Sequence, residues 1–535
     1  MSLVSGYAVY VSFEYTIIDS SPLIYISGTV FAIICYLIIR YNEPKLYASL
    51  MHLCEFCLKR KKVFFLLCAC ISICLLGFFA KFILQDFPNS GDEYCYLYQA
   101  KTFLEGRLWN APHKLQHFFD FFHIWKKEGK LVSIFPPGWP LVLSLFMLLR
   151  FPLWLINPLL GTISLAVIYL LGKKLYNERV ACLTVITTAV SSFFLFNSAS
   201  YFSHTLCSLL VLSCVFFYIR FLVQKRPVDA SLSGIFFGAA FITRPGTTLL
   251  FVLPAAIYFF YRRTKDYKKY IYVIFGIIPF FCFFLYYNFK ITGNPLLPPL
   301  FWIRAHKYNS LWLPFNLYTS RKITFQRLVD FVRWTPPFIL PIYFVIYLRS
   351  AFQRKKTDFT GLIFLTFMIG VFFYRDQGGN QYGPRYYYEA LPFLVLFVVS
   401  AIFSGKPYSQ QKYWEQVIFR MFMLSIVISF PVTLLHLGTE KKVILERRNL
   451  YRKVEEKRIK NAIIFLKTGT GKQRYMWPGD LVRNDFKFQN DVLYVHDLKE
   501  KNKELMDYYK DRDFYLYYYD QKNGKGHLRP YNYDY

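Results

Sequence analysis

The chain has 535 residues with 64 Lys and Arg against 33 Asp and Glu, and its hydrophobic share of 55% includes 58 Phe and 44 Tyr. Such a composition excludes a disordered chain, a collagen-like repeat and a small disulfide scaffold. In a soluble protein the net charge of +31 would suggest nucleic acid as a partner. Here the basic residues lie largely in short loops between apolar stretches of about 15–22 residues, close to the length that crosses a bilayer. The expected partners are therefore membrane lipids and not nucleic acid. The expected fold class is an α-helical polytopic membrane protein of about 11–13 transmembrane helices.

The first apolar run covers residues 22–40 and leads into a basic segment carrying Arg40, Lys45, Lys59, Arg60, Lys61 and Lys62. That asymmetry places residues 1–62 as one span plus a cytoplasmic loop, with the N-terminus outside. The first 21 residues lack the basic start of a cleavable signal. A second span, 63–84, then opens into a long outside loop, 85–135, rich in aromatics and histidine.

Basic loops at 173–179, 220–229, 262–269 and 350–358 mark returns to the cytoplasm. Between them, outside segments are expected near 197–203, 243–246, 289–334 and 375–390. The apolar segments 137–150 and 151–172 stand where an odd number of crossings is required. Pro136, Pro137, Pro140 and Pro152 shorten and bend them, so one is expected to be interfacial or re-entrant.

Residues 63–437 thus form the membrane domain, closed by a last span at 416–437. The character changes at Gly438. Charged helical sequence at 440–460 precedes strands at Ala462–Leu466, Val492–His496 and Phe514–Tyr519, with helix near 499–510. A small extracytoplasmic α/β domain is expected over 438–535. Most of the eleven cysteines lie in apolar runs and read as packing residues, while Cys54 and Cys57 have no second pair to complete a zinc site.

The stretch 90–109, SGDEYCYLYQAKTFLEGRLW, carries the strongest chemical signal. Ser90 followed by Glu93 is a capping box, so a helix starts here. Its spacing puts Asp92, Tyr96, Gln99 and Phe103 on one face. A carboxylate just outside a span and beside aromatics suits a general base. The alternative is that both acids serve the helix N-terminus, which accounts for Glu93 better than for Asp92.

The pattern DExxYxxQAxxFxxG from Asp92 to Gly106 resembles the GT-C glycosyltransferases, most nearly the protein-mannosyltransferase and aminoarabinose-transferase-like branch. FPPGWPLVLSL (135–145), LINPLLG, FNSASYFSHTL, FITRPGTTLL and GPRYYYEALPF carry the same resemblance over roughly 63–437. The resemblance implies a GT-C-like catalytic membrane domain. It also implies a polyprenyl-phosphate sugar donor, a hydroxyl-bearing acceptor (protein, lipid or glycan), and inversion at the anomeric carbon. Asp92 takes the position of the family's catalytic base, with Glu93 next to it.

Cations are needed for the leaving phosphate. Arg244, Arg375 and Arg385 are the candidates, each with a simpler reading. Arg244 can snorkel to headgroups, Arg385 can pair with Glu389 one turn later, and Arg375 can end a span. His204, at the outer start of a span, is a candidate for sugar or phosphate contact, as are Tyr96 and Gln99 on the face of Asp92. Asn288, Asp376 and Asn380 are weaker polar candidates at the same face. His113, His117 and His123 cluster without a recognised metal spacing. Some relatives use a divalent metal such as Mg or Mn and others none, so metal ligands stay unassigned. Trp139 reads as an interface anchor. The competing reading is a transporter or lipid flippase, which predicts charges within spans and internal repeats, neither evident here.

Overall fold

The computed structural model describes residues 22–121, 123–262, 267–308, 317–353, 358–374, 381–403, 408–467, 483–520 and 523–531. Among them, six helices are long and apolar enough to cross a membrane: Lys61–Ile83, Leu153–Leu175, His204–Gln224, Lys268–Thr292, Arg385–Phe403 and Tyr413–Glu456. Leu317–Trp334 and Ile339–Phe352 form a further candidate bent by 112°, and four shorter apolar helices complete the bundle. Arg385–Phe403 is its central post, with 89% of its apolar window buried, against 17% for Lys268–Thr292 at the lipid-facing edge.

One expectation is corrected. The basic segment read as a cytoplasmic loop is helix, because Pro22–Lys59 runs as one element with Pro44 inside it. The crossing ambiguity resolves at Gly138–Leu148, whose 11 residues rise only about 16 Å, half a hydrocarbon core.

Pro227–Thr243 packs on Ile271–Thr292 through facing glycines. A Cβ on Gly234 would enter the carbonyl oxygen of Val273, and one on Gly276 that of Ser231. Small residues let membrane helices approach at backbone distance. Gly234→Ala is therefore expected to cost about 1–3 kcal/mol through overpacking. At Gly438, where nothing lies within 4 Å of an added Cβ, the same change should gain up to about 1 kcal/mol of helix propensity. Melting of the two variants in detergent checks the opposite signs.

The segment 85–135 contains the helix Gly91–Leu104, a turn at Gln116–Phe118, and a hairpin of Ile124–Lys127 with Lys130–Ser133. Glu128 and Gly129, at φ 49° and 72°, supply the paired left-handed residues that a two-residue hairpin turn needs.

Followed in the chain by the short helix Asn502–Tyr508, the last candidate span, Tyr413–Glu456, is uninterrupted at Gly438. Its final turns bury Ile444, Leu450, Tyr451 and Val454, and that packing outweighs the helix cost of one glycine. Beyond it lies a four-stranded sheet in the order Val492–His496, Ala462–Leu466, Asp513–Asp520, Lys525–Pro530, parallel except for the last pair. The three strands read from the sequence are present. Lys525–Pro530 was hidden because KGHLRP combines a glycine, a terminal proline and little apolar alternation.

Candidate active site

Residues from five separate segments meet at one end of the bundle. Asp92 arrives on the first turn of Gly91–Leu104, whose N-cap Ser90 accepts from the Glu93 amide while the Glu93 side chain returns to the cap. Asp92 Oδ1 lies 3.2 Å from His123 Nε2 and Oδ2 lies 3.3 Å from Arg385 Nη1. The Arg385 guanidinium stacks 3.8 Å above the Phe202 ring. Asp92 and His123 stay partly open, with 25% and 21% of their side chains accessible, against 7% for Arg385. Burial pushes the Asp92 carboxyl up, but Arg385, His123 and Arg244 together overcome it and hold it at about 2.

A second cluster lies deeper. Arg244, at the break between Pro227–Thr243 and Pro245–Leu249, places Nε 3.2 Å from Glu389 Oε1. His204 Nδ1 sits 3.1 Å from the same oxygen. Arg244 Nη1 donates to Ser203 Oγ at 3.2 Å, and Ser203 in turn shares a hydrogen bond with Tyr96 OH at 3.2 Å. Since Tyr96 lies one turn after Asp92, this chain ties the two clusters together. Glu389 and His204 are 0% and 2% exposed.

The expected Arg385–Glu389 contact within one helical turn gives way to two longer-range partnerships. Arg385–Ala390 is a 3-10 turn, in which residues four apart diverge around the axis. Arg385 then reaches Asp92 and Glu389 reaches Arg244.

Glu93 faces away from this site. Its carboxylate accepts backbone N–H bonds from Asn89 at 2.7 Å, Ser90 at 2.9 Å and Tyr201 at 2.8 Å. It is 1% exposed and splices the loop helix to the 197–203 turn. Burial pushes it up to about 7 against the pull of these amides and of Arg385. A carboxyl raised from 4.5 to about 7 on folding gives stability that is full below pH 4.5 and declines as pH rises through about 7. Glu93→Ala, stranding three buried donors, is expected to cost about 3 kcal/mol or more. Glu93→Gln keeps the shape but offers one accepting oxygen where two are used, so it should cost less than Glu93→Ala and flatten that pH dependence. Thermal melts at pH 5 and pH 7.5 compare them.

Gln99 stays outside the clusters, donating to Tyr287 OH at 2.8 Å and the Phe135 carbonyl at 3.4 Å. Asn288 closes the turn after its span by donating to the Pro295 carbonyl at 3.1 Å. Arg375, Asp376 and Asn380 lie outside the described residues. Trp139 is no interface anchor: it is 1% exposed and donates to the Tyr201 carbonyl at 2.8 Å. Sequence reasoning gave no role to His123, Ser203 or Phe202. For the latter two the only signal was their position beside His204 in SYFSH.

A divalent metal does not fit these residues. Among the described residues no three His, Cys, Asp or Glu side chains converge. Asp92 has a single nitrogen ligand beside it and a guanidinium on its other oxygen.

This arrangement sits on the GT-C fold. Residues 135–287 match the family model described as dolichyl-phosphate-mannose-protein mannosyltransferase. ArnT from Cupriavidus metallidurans in the apo state superposes with a TM-score of 0.53 at 11% identity, covering 87% of this chain and 94% of ArnT. The same protein bound to undecaprenyl phosphate gives 0.50 at 12% identity, covering 85% and 92%. The apo oligosaccharyltransferase of Archaeoglobus fulgidus gives 0.49 at 12% identity, covering 86% and 70%. At such identities the likeness concerns the fold. No curated protein matches by sequence. The chain is a multi-pass membrane protein of GT-C architecture, mannosyltransferase-like over the matched segment.

Proposed function

We propose that this protein is an integral-membrane glycosyltransferase that moves a sugar from a polyprenyl-phosphate donor to an acceptor hydroxyl at the extracytoplasmic face. One observation carries the reading: a partly open carboxylate, Asp92, sits against two guanidiniums of low exposure, Arg385 directly and Arg244 through Tyr96 and Ser203. The mannosyltransferase family match supports the reaction class. ArnT bound to undecaprenyl phosphate, which shares the fold, supports the donor class.

In this reading Arg385 and Arg244 hold the donor phosphate, for which planar guanidiniums are suited. His204 and Glu389 fix Arg244, and Tyr96 lines the space between the clusters. The acceptor oxygen attacks the anomeric carbon as Asp92 takes its proton. The bond from that carbon to the phosphate oxygen breaks, and polyprenyl phosphate leaves with the electron pair. Attack opposite the leaving group inverts the configuration. Pairing with Arg385 keeps Asp92 a weak base at rest, and a phosphate engaging Arg385 draws off that charge and strengthens it.

The test is transfer from radiolabelled polyprenyl-phosphate sugars in membranes carrying the protein. Turnover with one donor class supports the reading. Failure with every polyprenyl-phosphate sugar, alongside turnover with a nucleotide sugar, would sink it. With Asp92 at about 2, kcat/KM should show no acid limb from this carboxyl above about pH 4. A pH–rate profile between pH 4 and 8 checks that.

A further inference from the structure

The C-terminal sheet is joined to the loop that carries the candidate base, and the join is a shared core. Phe118 and Phe119, from the loop, are 0% and 5% exposed and pack among Phe465, Val495, Leu505 and Met506 of the C-terminal sheet and its helix. Polar contacts frame this plug. His496 Nε2 donates to the Asp120 carbonyl at 2.7 Å. Tyr509 OH meets His113 Nε2 at 3.2 Å, and His117 Nε2 lies 3.3 Å from Glu504. A cavity of about 30 Å³ lies at the junction, lined by Gln116 and Phe119 of the loop and by Phe486 and Phe488 of the C-terminal segment.

Asp120 is three residues before His123, and three residues reach at most about 11 Å. His123 is the residue that holds Asp92 Oδ1. On its other side His123 leads straight into the hairpin. There Lys127 lies 3.9 Å over Trp302 and Lys130 lies 4.4 Å over Trp109. The segment is thus gripped before His123 by the C-terminal sheet and after it by two cation–π pairs.

From this we infer that the C-terminal domain positions the base: by clamping residues 113–120 it fixes His123, and His123 orients the Asp92 carboxylate toward the acceptor. His123 acts here as a positioning residue. The inference rests on the transferase reading, and it gives the C-terminal domain a part in turnover.

The test uses the full chain with His496→Ala and, separately, Phe118→Ala. Each variant is assayed for sugar transfer and for amide hydrogen exchange over Gly91–Leu104 and the hairpin. A misplaced carboxylate should lower kcat by about 10-fold or more while donor KM stays within about twofold. Exchange should rise in the hairpin and in the first turn of Gly91–Leu104. In the double variant His496→Ala with His123→Ala, kcat should fall no further than with His123→Ala alone. Unchanged kcat in both single variants, or losses that multiply in the double variant, would overturn the inference. Were the wild type to transfer no sugar, the transferase reading would fall by itself and exchange would decide the coupling. A rise confined to the C-terminal sheet, with the hairpin and Gly91–Leu104 as protected as before, would then overturn it.

Discussion

Asp92→Asn is expected to lower kcat for sugar transfer by about 10²- to 10⁴-fold, the range associated with a positioned acid or base. The asparagine amide has the shape of the carboxylate but cannot take the acceptor's proton. Its oxygen can still accept from Arg385 and its NH₂ can face His123 in the other tautomer. The surrounding contacts therefore survive, and abundance and melting temperature should stay near wild type. Donor KM should change little, because in the proposed mechanism the arginines hold the phosphate. Turnover within about tenfold of wild type at matched abundance would remove Asp92 as the base. Glu93 is no substitute in this geometry, since its oxygens are taken by three backbone amides.

The second large effect belongs to Arg244. Truncation to alanine takes the guanidinium from Glu389, which has no exposure, and leaves it the His204 hydrogen bond at 3.1 Å. Removing one partner of a buried ion pair typically costs about 3–5 kcal/mol. Activity per folded molecule should fall as well, by about 10²- to 10³-fold, as for a lost transition-state donor. The two losses separate in the pair Arg244→Met with Glu389→Met. Exchanging both charges for apolar groups should restore much of the melting temperature and leave transfer low. Recovery of transfer together with stability would show that Arg244 only supports the fold. Arg244→Lys keeps a charge for Glu389 but loses the planar fork, so a folded protein with raised donor KM is expected.

What the sequence revealed of this site follows the range of the interactions. The start of the Asp92 helix was legible because a capping box is a contact between residues three apart. Strands at Ala462–Leu466 and Val492–His496 were legible for the same reason, their signal being local apolar content. The partnerships that make the site were not. Arg244 finds Glu389 across a long stretch of the membrane domain. Asp92 finds His123 only because the chain turns back through the 116–118 turn and into the hairpin. Spacing also misled where the helix type changed, as at Arg385 and Glu389. The fold class needed only composition and span length, whereas the continuity of Tyr413–Glu456 depended on what its last turns pack against.

The central post, Arg385–Phe403, begins with the residues that hold Asp92 and Arg244, and the rest of it is walled in on all sides. The other half of the chemistry rides on a loop outside the bundle. The two halves are therefore unequal in freedom. In the proposed reaction, changes in the 85–135 segment that spare Asp92, Glu93 and Tyr96 can reshape the acceptor's side of the site without disturbing the arginines, whereas a change in the post disturbs the helices packed around it. A transferase built this way, as proposed, can acquire new acceptors while keeping its donor. An exchange of the whole loop together with its C-terminal clamp is the transplant that the architecture permits.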